Sequence, residues 1–425
     1  MNISQTMRNT AAEAEAALAE VFRKINENSR ICTEKVLDVF RENRVSEALF
    51  VPSTGYGYGD FGRDTIDKIA ADIFGAPAGF MRPSILSGTH AIAIGLFGIL
   101  RPGDVMLSVT GTPYDTLRDV LGITGDKKQG SLKDFGVEYA EVPFAPSGEV
   151  DFDGIEKALK KYGKRVKMVF LQRSKGYMDR KTLSVSEITD IVRFAREKAE
   201  GEFFAVLDNC YGEFTEPTEP CDTCYGEGAV DLMIGSLIKN PGGGMADVGG
   251  YLVGSEKAVE LAGYRLTCPG VGLEVGASLG QNRNLLKGLF YAPHTTAQAL
   301  MTAHLAAYVF DSLGYEVSPA PFEERHDIIQ TVKLKSPQGL CEFCRGIQSA
   351  SPVDAFVSPE PWDMPGYDDE VIMAAGAFVG GSSIELSADG PMKDPYIAFM
   401  QGGLTYESAR LAIMAAAERC GKFNG

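Results

Sequence analysis

The amino-acid sequence predicts an α/β protein: a mostly parallel central sheet, preceded by a helical arm and followed by a smaller C-terminal α+β domain. Three features carry this expectation. From Ile85 onward, short apolar runs alternate with segments of helical period, as expected for strands joined by helical crossovers. Residues 11–49 are instead rich in Ala, Glu, Leu and Lys at helical spacing. Beyond Asp311 strands and helices no longer alternate regularly. The expected division is an arm and loop over 1–64, a large α/β domain over 65–310 and a small domain over 311–425.

In the arm, Leu18, Val21, Phe22 and Ile25, then Val36, Leu37 and Phe40, mark the buried stripes of two helices. A glycine and tyrosine loop over 53–64 follows, containing Tyr56, Tyr58 and Arg63, and residues 65–74 read as a helix. It is either an ordered surface loop or an aromatic and cationic arm reaching into a site. Ser87-Gly88-Thr89-His90-Ala91 is a small-residue turn that opens a helix running to about Leu100. Apolar runs of strand length lie at 104–109, 137–142, 166–171, 203–208, 230–234 and 251–253. Amphipathic helices are expected at 152–161 and 186–199. A long helix over 279–310 should break near Gly288 and Pro293, because proline removes a backbone donor and clashes with the preceding turn. The last domain carries expected strands at 327–333, 371–374 and 383–386, helices at 340–350 and 406–419, and a proline-rich loop at 359–366 around the single Trp362.

Composition excludes several roles. A net charge of −16 disfavours a nucleic-acid or anionic-membrane surface. No apolar run reaches membrane-span length and no leader pattern opens the chain, so a cytoplasmic protein is expected. Eight cysteines in 425 residues are no disulfide framework. Cys221/Cys224 and Cys341/Cys344 have zinc-like spacing, but they lie far apart, and the second pair reads as apolar filler on a helix. No metal site is expected. His294 and His304 read as structural histidines.

The chemistry concentrates in two stretches. Gly235-Ser236-Leu237-Ile238-Lys239-Asn240-Pro241-Gly242-Gly243-Gly244 follows an apolar run and ends in residues that forbid a regular helix. A lysine delivered there is either an ordinary surface lysine or a partly desolvated amine that forms a Schiff base with pyridoxal 5′-phosphate (PLP). The second stretch, 203–213, ends its apolar run in Asp208, a buried acid that needs a partner such as a pyridinium nitrogen or a neighbouring arginine. The turn at Ser87–Thr89 offers an anion seat at a helix start, or simply an N-cap. Tyr114 opens another helix, placed either to stack on a flat heterocycle or to fill core. The polar residues 172–177 follow a strand end, where ligands bind in open α/β sheets.

Taken in order, Ser87-Gly88-Thr89-His90-Ala91, Tyr114, Asp208-Asn209 and Ser236-x-x-Lys239 resemble the fold-type I PLP enzymes of cysteine and methionine metabolism. The chain is most similar to the methionine γ-lyase-like or "aluminium resistance" branch, also through 235–244, 374–390 and 401–407. The resemblance implies a seven-stranded, mostly parallel sheet and sites shared across a homodimer or a tetramer of such dimers. It implies Lys239 as the Schiff-base lysine, Asp208 on the pyridinium and Tyr114 on the ring face. Phosphate would fall to Gly88, Thr89 and Ser236, with Ser87 and His90 of the same turn, helped by Tyr56, Tyr58 and Arg63 of the neighbouring subunit. Arg173 and Tyr211 would also lie near the cofactor. For the substrate carboxylate the family's arginine is not cleanly matched; Arg265, Lys393 and Arg410 are the candidates.

The expected function is a PLP-dependent carbon–sulfur lyase acting on cystathionine, cysteine, methionine or a similar amino acid by β- or γ-elimination. The rivals are a PLP-dependent replacement, racemase or aminotransferase reaction, a PLP-binding scaffold without turnover, and a non-enzymatic acidic metal-binding protein.

Overall fold

Seven strands form the central sheet of the computed structural model, which describes residues 3–421 apart from 126–127, 179 and 365–368. Two helices lead in, α1 (Gln5–Ala17) and α2 (Ala19–Glu42), followed by α3 (Phe61–Phe74), β1 (Ala78–Arg82) and α4 (Gly88–Ile99). The crossover region comprises β2 (Val105–Ser108), α5 (Asp115–Leu121), β3 (Glu138–Glu141), α6 (Phe152–Tyr162), β4 (Val166–Gln172), α7 (Val185–Lys198) and β5 (Phe204–Asp208). Then come β6 (Leu232–Ser236), β7 (Gly250–Gly254), α8 (Glu256–Leu266) and α9 (Asn282–Ser312). The sheet order is β1-β7-β6-β5-β4-β2-β3, with β7 the one strand antiparallel to its neighbours. Helices cover both faces, which is why its strands read as continuous apolar runs.

The remaining elements are β8 (Glu316–Ser318), β9 (Ile329–Lys333), α10 (Pro337–Gln348), β10 (Val371–Ala374), β11 (Ser387–Pro391), β12 (Ile397–Gln401) and α11 (Tyr406–Cys420). Their strands make a five-stranded antiparallel sheet, β10-β11-β12-β9-β8, packed on α10 and α11 with a core of its own. Cys341 and Cys344 fill that core, whereas Cys221 is buried in the large one, its thiol donating to Phe74 O.

Several boundaries differ from the sequence reading. The long helix is unbroken. Pro293 gives up one backbone bond, yet the helix is buried along most of its length, and Ser29 Oγ donates to Pro293 O at 3.1 Å. Gly288 is required for another reason: a Cβ there would lie 2.5 Å from Gly242 O, so it lets α9 approach the lysine turn. The strand expected at 383–386 begins instead at Ser387, because Leu386 takes a left-handed φ of 110° and Glu385 accepts from the N–H groups of Phe378 and Val379. Helix α3 starts four residues before the expected 65, where Asp60 caps it by accepting from Arg63 N–H. Strands β1, β8 and β12 were not expected. The loop expected at 359–366 runs past Trp362, which bridges to Val371; residues 365 and 366 lie outside the described residues.

Candidate active site

A cavity of about 370 Å³ opens at the carboxyl ends of β4, β5 and β6, where ligands bind in such sheets. The helix start of α4 and the turn before α5 form one side, and the five-stranded sheet closes the other. It brings together Ser87, Gly88, Thr89, Tyr114, Asp208, Tyr211, Ser236 and Lys239. Parallel pairing of β5 with β6 sets Asp208 against Ile234, so the turn that carries Lys239 leaves the sheet beside that carboxylate.

The lysine turn is held by residues that cannot be exchanged freely. A Cβ on Gly242 would sit 1.7 Å from Leu237 O, and Gly243 adopts φ 54° beside Gly288. Asn240, wholly buried, donates from Nδ2 to Tyr211 O and Glu213 O, both at 3.0 Å. That bond pins Tyr211, a non-glycine residue at φ 77°, against the lysine. Lys239 Nζ donates to Tyr211 OH at 2.8 Å and Ser383 Oγ at 2.6 Å, and lies 4.6 Å from the Tyr211 ring centre. A desolvated amine is expected to have a lowered pKa. Burial does act that way, but Tyr211, Cys210 and Asp389 oppose it, and the balance is upward.

Asp208 is 4% exposed, and burial pushes its carboxyl up to about 6 against the opposing Cys210 N–H at 3.1 Å, Lys239 and Arg180. Ser236 Oγ is buried and has no hydrogen-bond partner among the described residues, an orphan hydroxyl in the cavity wall. Beside it, α4 presents its N-terminal amides, with Ser87 accepting from His90 N–H. Thr89 Oγ1 bonds Tyr114 OH at 2.9 Å and Thr116 Oγ1 at 3.0 Å, and Gln172 Oε1 accepts from Tyr114 N–H, fixing the ring over the cavity mouth.

Other candidates lie elsewhere. The His90 ring accepts from Leu86 N–H and braces the turn rather than lining the cavity. Arg173, fully buried, spends its guanidinium on Leu183 O, Asn209, Gly212 O, Thr215 and Glu216. It ties down the loop after β5 from behind. Arg63 likewise binds Gly57 O, Gly276 O, Glu274 O and Asp64, organising the loop whose Tyr56 and Tyr58 stand exposed in this chain. Arg265 lies over the Phe97 ring, and Arg410 pairs with Glu15 of the arm. Lys393 pairs with Asp369 at 2.9 Å in an adjoining hollow of about 130 Å³. Sequence reading missed Ser383, Asp389 and Gln401, which enter from the five-stranded sheet and its approach loop. Their signal was slight: Ser383 and Asp389 belong to an alternating polar and apolar stretch over 383–389, and Gln401 ends an apolar run.

The mixed seven-stranded sheet, the cavity at its carboxyl edge and the small antiparallel sheet define the fold-type I class of PLP-dependent proteins. In line with this, the pyridoxal-5′-phosphate-dependent protein YhfS of Escherichia coli shares the fold at 14% identity, covering 93% of this chain and 96% of that one with a TM-score of 0.59. Residues 7–421 match the methionine gamma-lyase family, and the chain belongs to it. The uncharacterized protein YnbB of Bacillus subtilis is 47% identical over 97% of this chain and 96% of its own. A carbon-sulfur lyase involved in aluminum resistance from Clostridium novyi NT is 44% identical, covering 98% of this chain and 96% of that one, with a TM-score of 0.92.

The residues present fit PLP. The orphan Ser236 hydroxyl and the α4 amides suit a phosphate, Asp208 suits a protonated ring nitrogen, and the half-buried Lys239 amine lines the same cavity. Among the described residues no group of acids, cysteines and histidines is placed to hold a metal, and no helix is long and apolar enough to cross a membrane.

Proposed function

We propose that this protein is a PLP-dependent carbon–sulfur lyase that removes the α-proton of a sulfur-containing amino acid and eliminates its thiol by β- or γ-elimination. The observation that supports it most is the juxtaposition of Lys239 and Asp208 at adjacent strand ends around one cavity, with an orphan hydroxyl at Ser236.

When bound, PLP supplies an electron sink for the pair left at the substrate Cα. Lys239 would anchor the cofactor and, once displaced by substrate, take the Cα proton; Tyr211 OH and Ser383 Oγ are within hydrogen-bond reach to steer that amine. Asp208 holds a proton at the ring nitrogen, and its buried position keeps water from competing for the contact. Ser236, Gly88 and Thr89 would bind the phosphate, Tyr114 would lie on the ring face, and Ser87 of the same turn would help to hold it. The five-stranded sheet walls one side of the cavity and so limits the approach of water to the reacting centre.

Purified holoprotein tested with cystathionine, cysteine and methionine should release a keto acid and ammonia from at least one. A cofactor-loaded enzyme silent on all three sinks the lyase reading. Lys239→Ala should abolish both turnover and the visible absorbance of the lysine-bound cofactor.

A further inference from the structure

The cavity wall opposite Lys239 is acidic. In β11, the strand period of two puts Ser387 and Asp389 on one face, and register sets them beside Gln401 and Phe399 of β12. All four line the cavity. Asp389 is 8% exposed; one carboxylate oxygen accepts from Tyr177 OH at 2.7 Å, and the other, among the described residues, has only a long contact of 3.4 Å from Gln401 Nε2. Gln401 is better committed to Ser387 Oγ, at 2.8 Å. A carboxylate accepts about four hydrogen bonds, so Asp389 keeps unused capacity on the cavity side.

Charge points the same way. Lys239 is the one cation among the described residues lining this cavity; its amine is hydrogen-bonded to Tyr211 and Ser383, and it reaches Asp389 only through charge attraction. Arg118, Lys175 and Lys393 line the adjoining hollow, where Arg118 and Lys393 already pair with Asp115 and Asp369. Burial holds the Asp389 carboxyl at about 6, so it is ionised at neutral pH.

We infer that Asp389 is a specificity-determining residue whose carboxylate receives an ammonium group at the far end of the substrate, beyond its sulfur. The preferred substrate class is then a thioether amino acid whose leaving half is cationic. The inference rests on the proposed function for one thing only, that the cavity's ligand is an amino acid.

Three cysteine thioethers of similar length separate the possibilities: S-(2-aminoethyl)-, S-ethyl- and S-carboxymethyl-cysteine, cationic, neutral and anionic at the far end. Their Kd values are measured by calorimetry on PLP-loaded Lys239→Ala protein, where turnover does not interfere. The cationic probe should bind tightest and the anionic weakest. Adding Asp389→Asn should shrink the cationic-to-neutral preference by about tenfold or more, as expected when one partner of a buried charge pair is neutralised. Adding Tyr177→Phe instead, which removes a donor but keeps the carboxylate, should leave the cationic preference standing. Tightest binding of the anionic probe, or equal weakening of all three probes by Asp389→Asn, overturns the assignment and makes Asp389 a structural brace. Wild-type turnover of the same probes is read separately: no turnover with an intact ranking removes the lyase reading alone, and turnover with no ranking removes this one alone.

Discussion

Asp208→Asn should change how the stability of the cofactor-free protein depends on pH, and the size of the change follows from burial. The carboxyl sits at about 6 in the fold against an ordinary 3.8, raised chiefly because its charge is taken out of water. Between those values the folded state binds more protons than the unfolded one, so stability falls as pH rises through that window. The shift of about two units corresponds to roughly 3 kcal/mol of stability, fully present below pH ~4 and lost above ~6. Asparagine carries no charge and lacks this dependence. Its amide leaves a buried donor in want of a partner, at a cost of about 1–3 kcal/mol, but that cost does not vary with pH. Asp389 shares the same elevated value and is present in both proteins, so it cancels. Urea unfolding of the cofactor-free wild type and variant, followed by fluorescence and circular dichroism with coinciding transitions, gives the difference at pH 8 and pH 4.5. The variant should gain roughly 2–3 kcal/mol relative to wild type on going from the lower to the higher pH. A difference that stays flat, or moves the other way, refutes the claim that burial outweighs the groups that stabilise the Asp208 charge.

Ser236→Ala removes an orphan hydroxyl, so it should stabilise the cofactor-free protein by about 1 kcal/mol while weakening PLP binding by about tenfold, read from urea midpoints and cofactor titration. Gly242→Ala places a Cβ 1.7 Å from Leu237 O and should cost ~3 kcal/mol or more, with loss of cofactor loading because the Lys239 turn must move. Arg173→Met leaves Glu219 and Asn209 buried without their cation and should destabilise by about 3–5 kcal/mol, measured by thermal unfolding. Arg410→Ala breaks the half-buried tie to Glu15 and a weak contact with the Met414 sulfur, and should leave kcat unchanged while costing at most about 1 kcal/mol in thermal stability.

Much of the site was legible before any coordinates. Lys239, Asp208 and the Ser87–Thr89 turn announce themselves locally: each is a polar group at the end of an apolar run or the start of a helix, and a strand's carboxyl end has a defined chemical meaning in a parallel sheet. The same local logic located the central strands, because burial on both faces leaves continuous apolar runs. What local pattern cannot show is where a long cation spends its charge. Arg173, Arg265, Arg410 and Lys393 read alike as candidate ligands, and the fold commits them to loop carbonyls, an aromatic ring, the arm and Asp369. Nor does pattern show that Ser383, Asp389 and Gln401, far along the chain, form the opposite wall. Short-range residue order determined the sheet edge that carries the candidate site. Long-range packing of a second sheet decided which side chains face it, since a side chain's partners depend on contacts between segments remote in sequence, which no local spacing encodes.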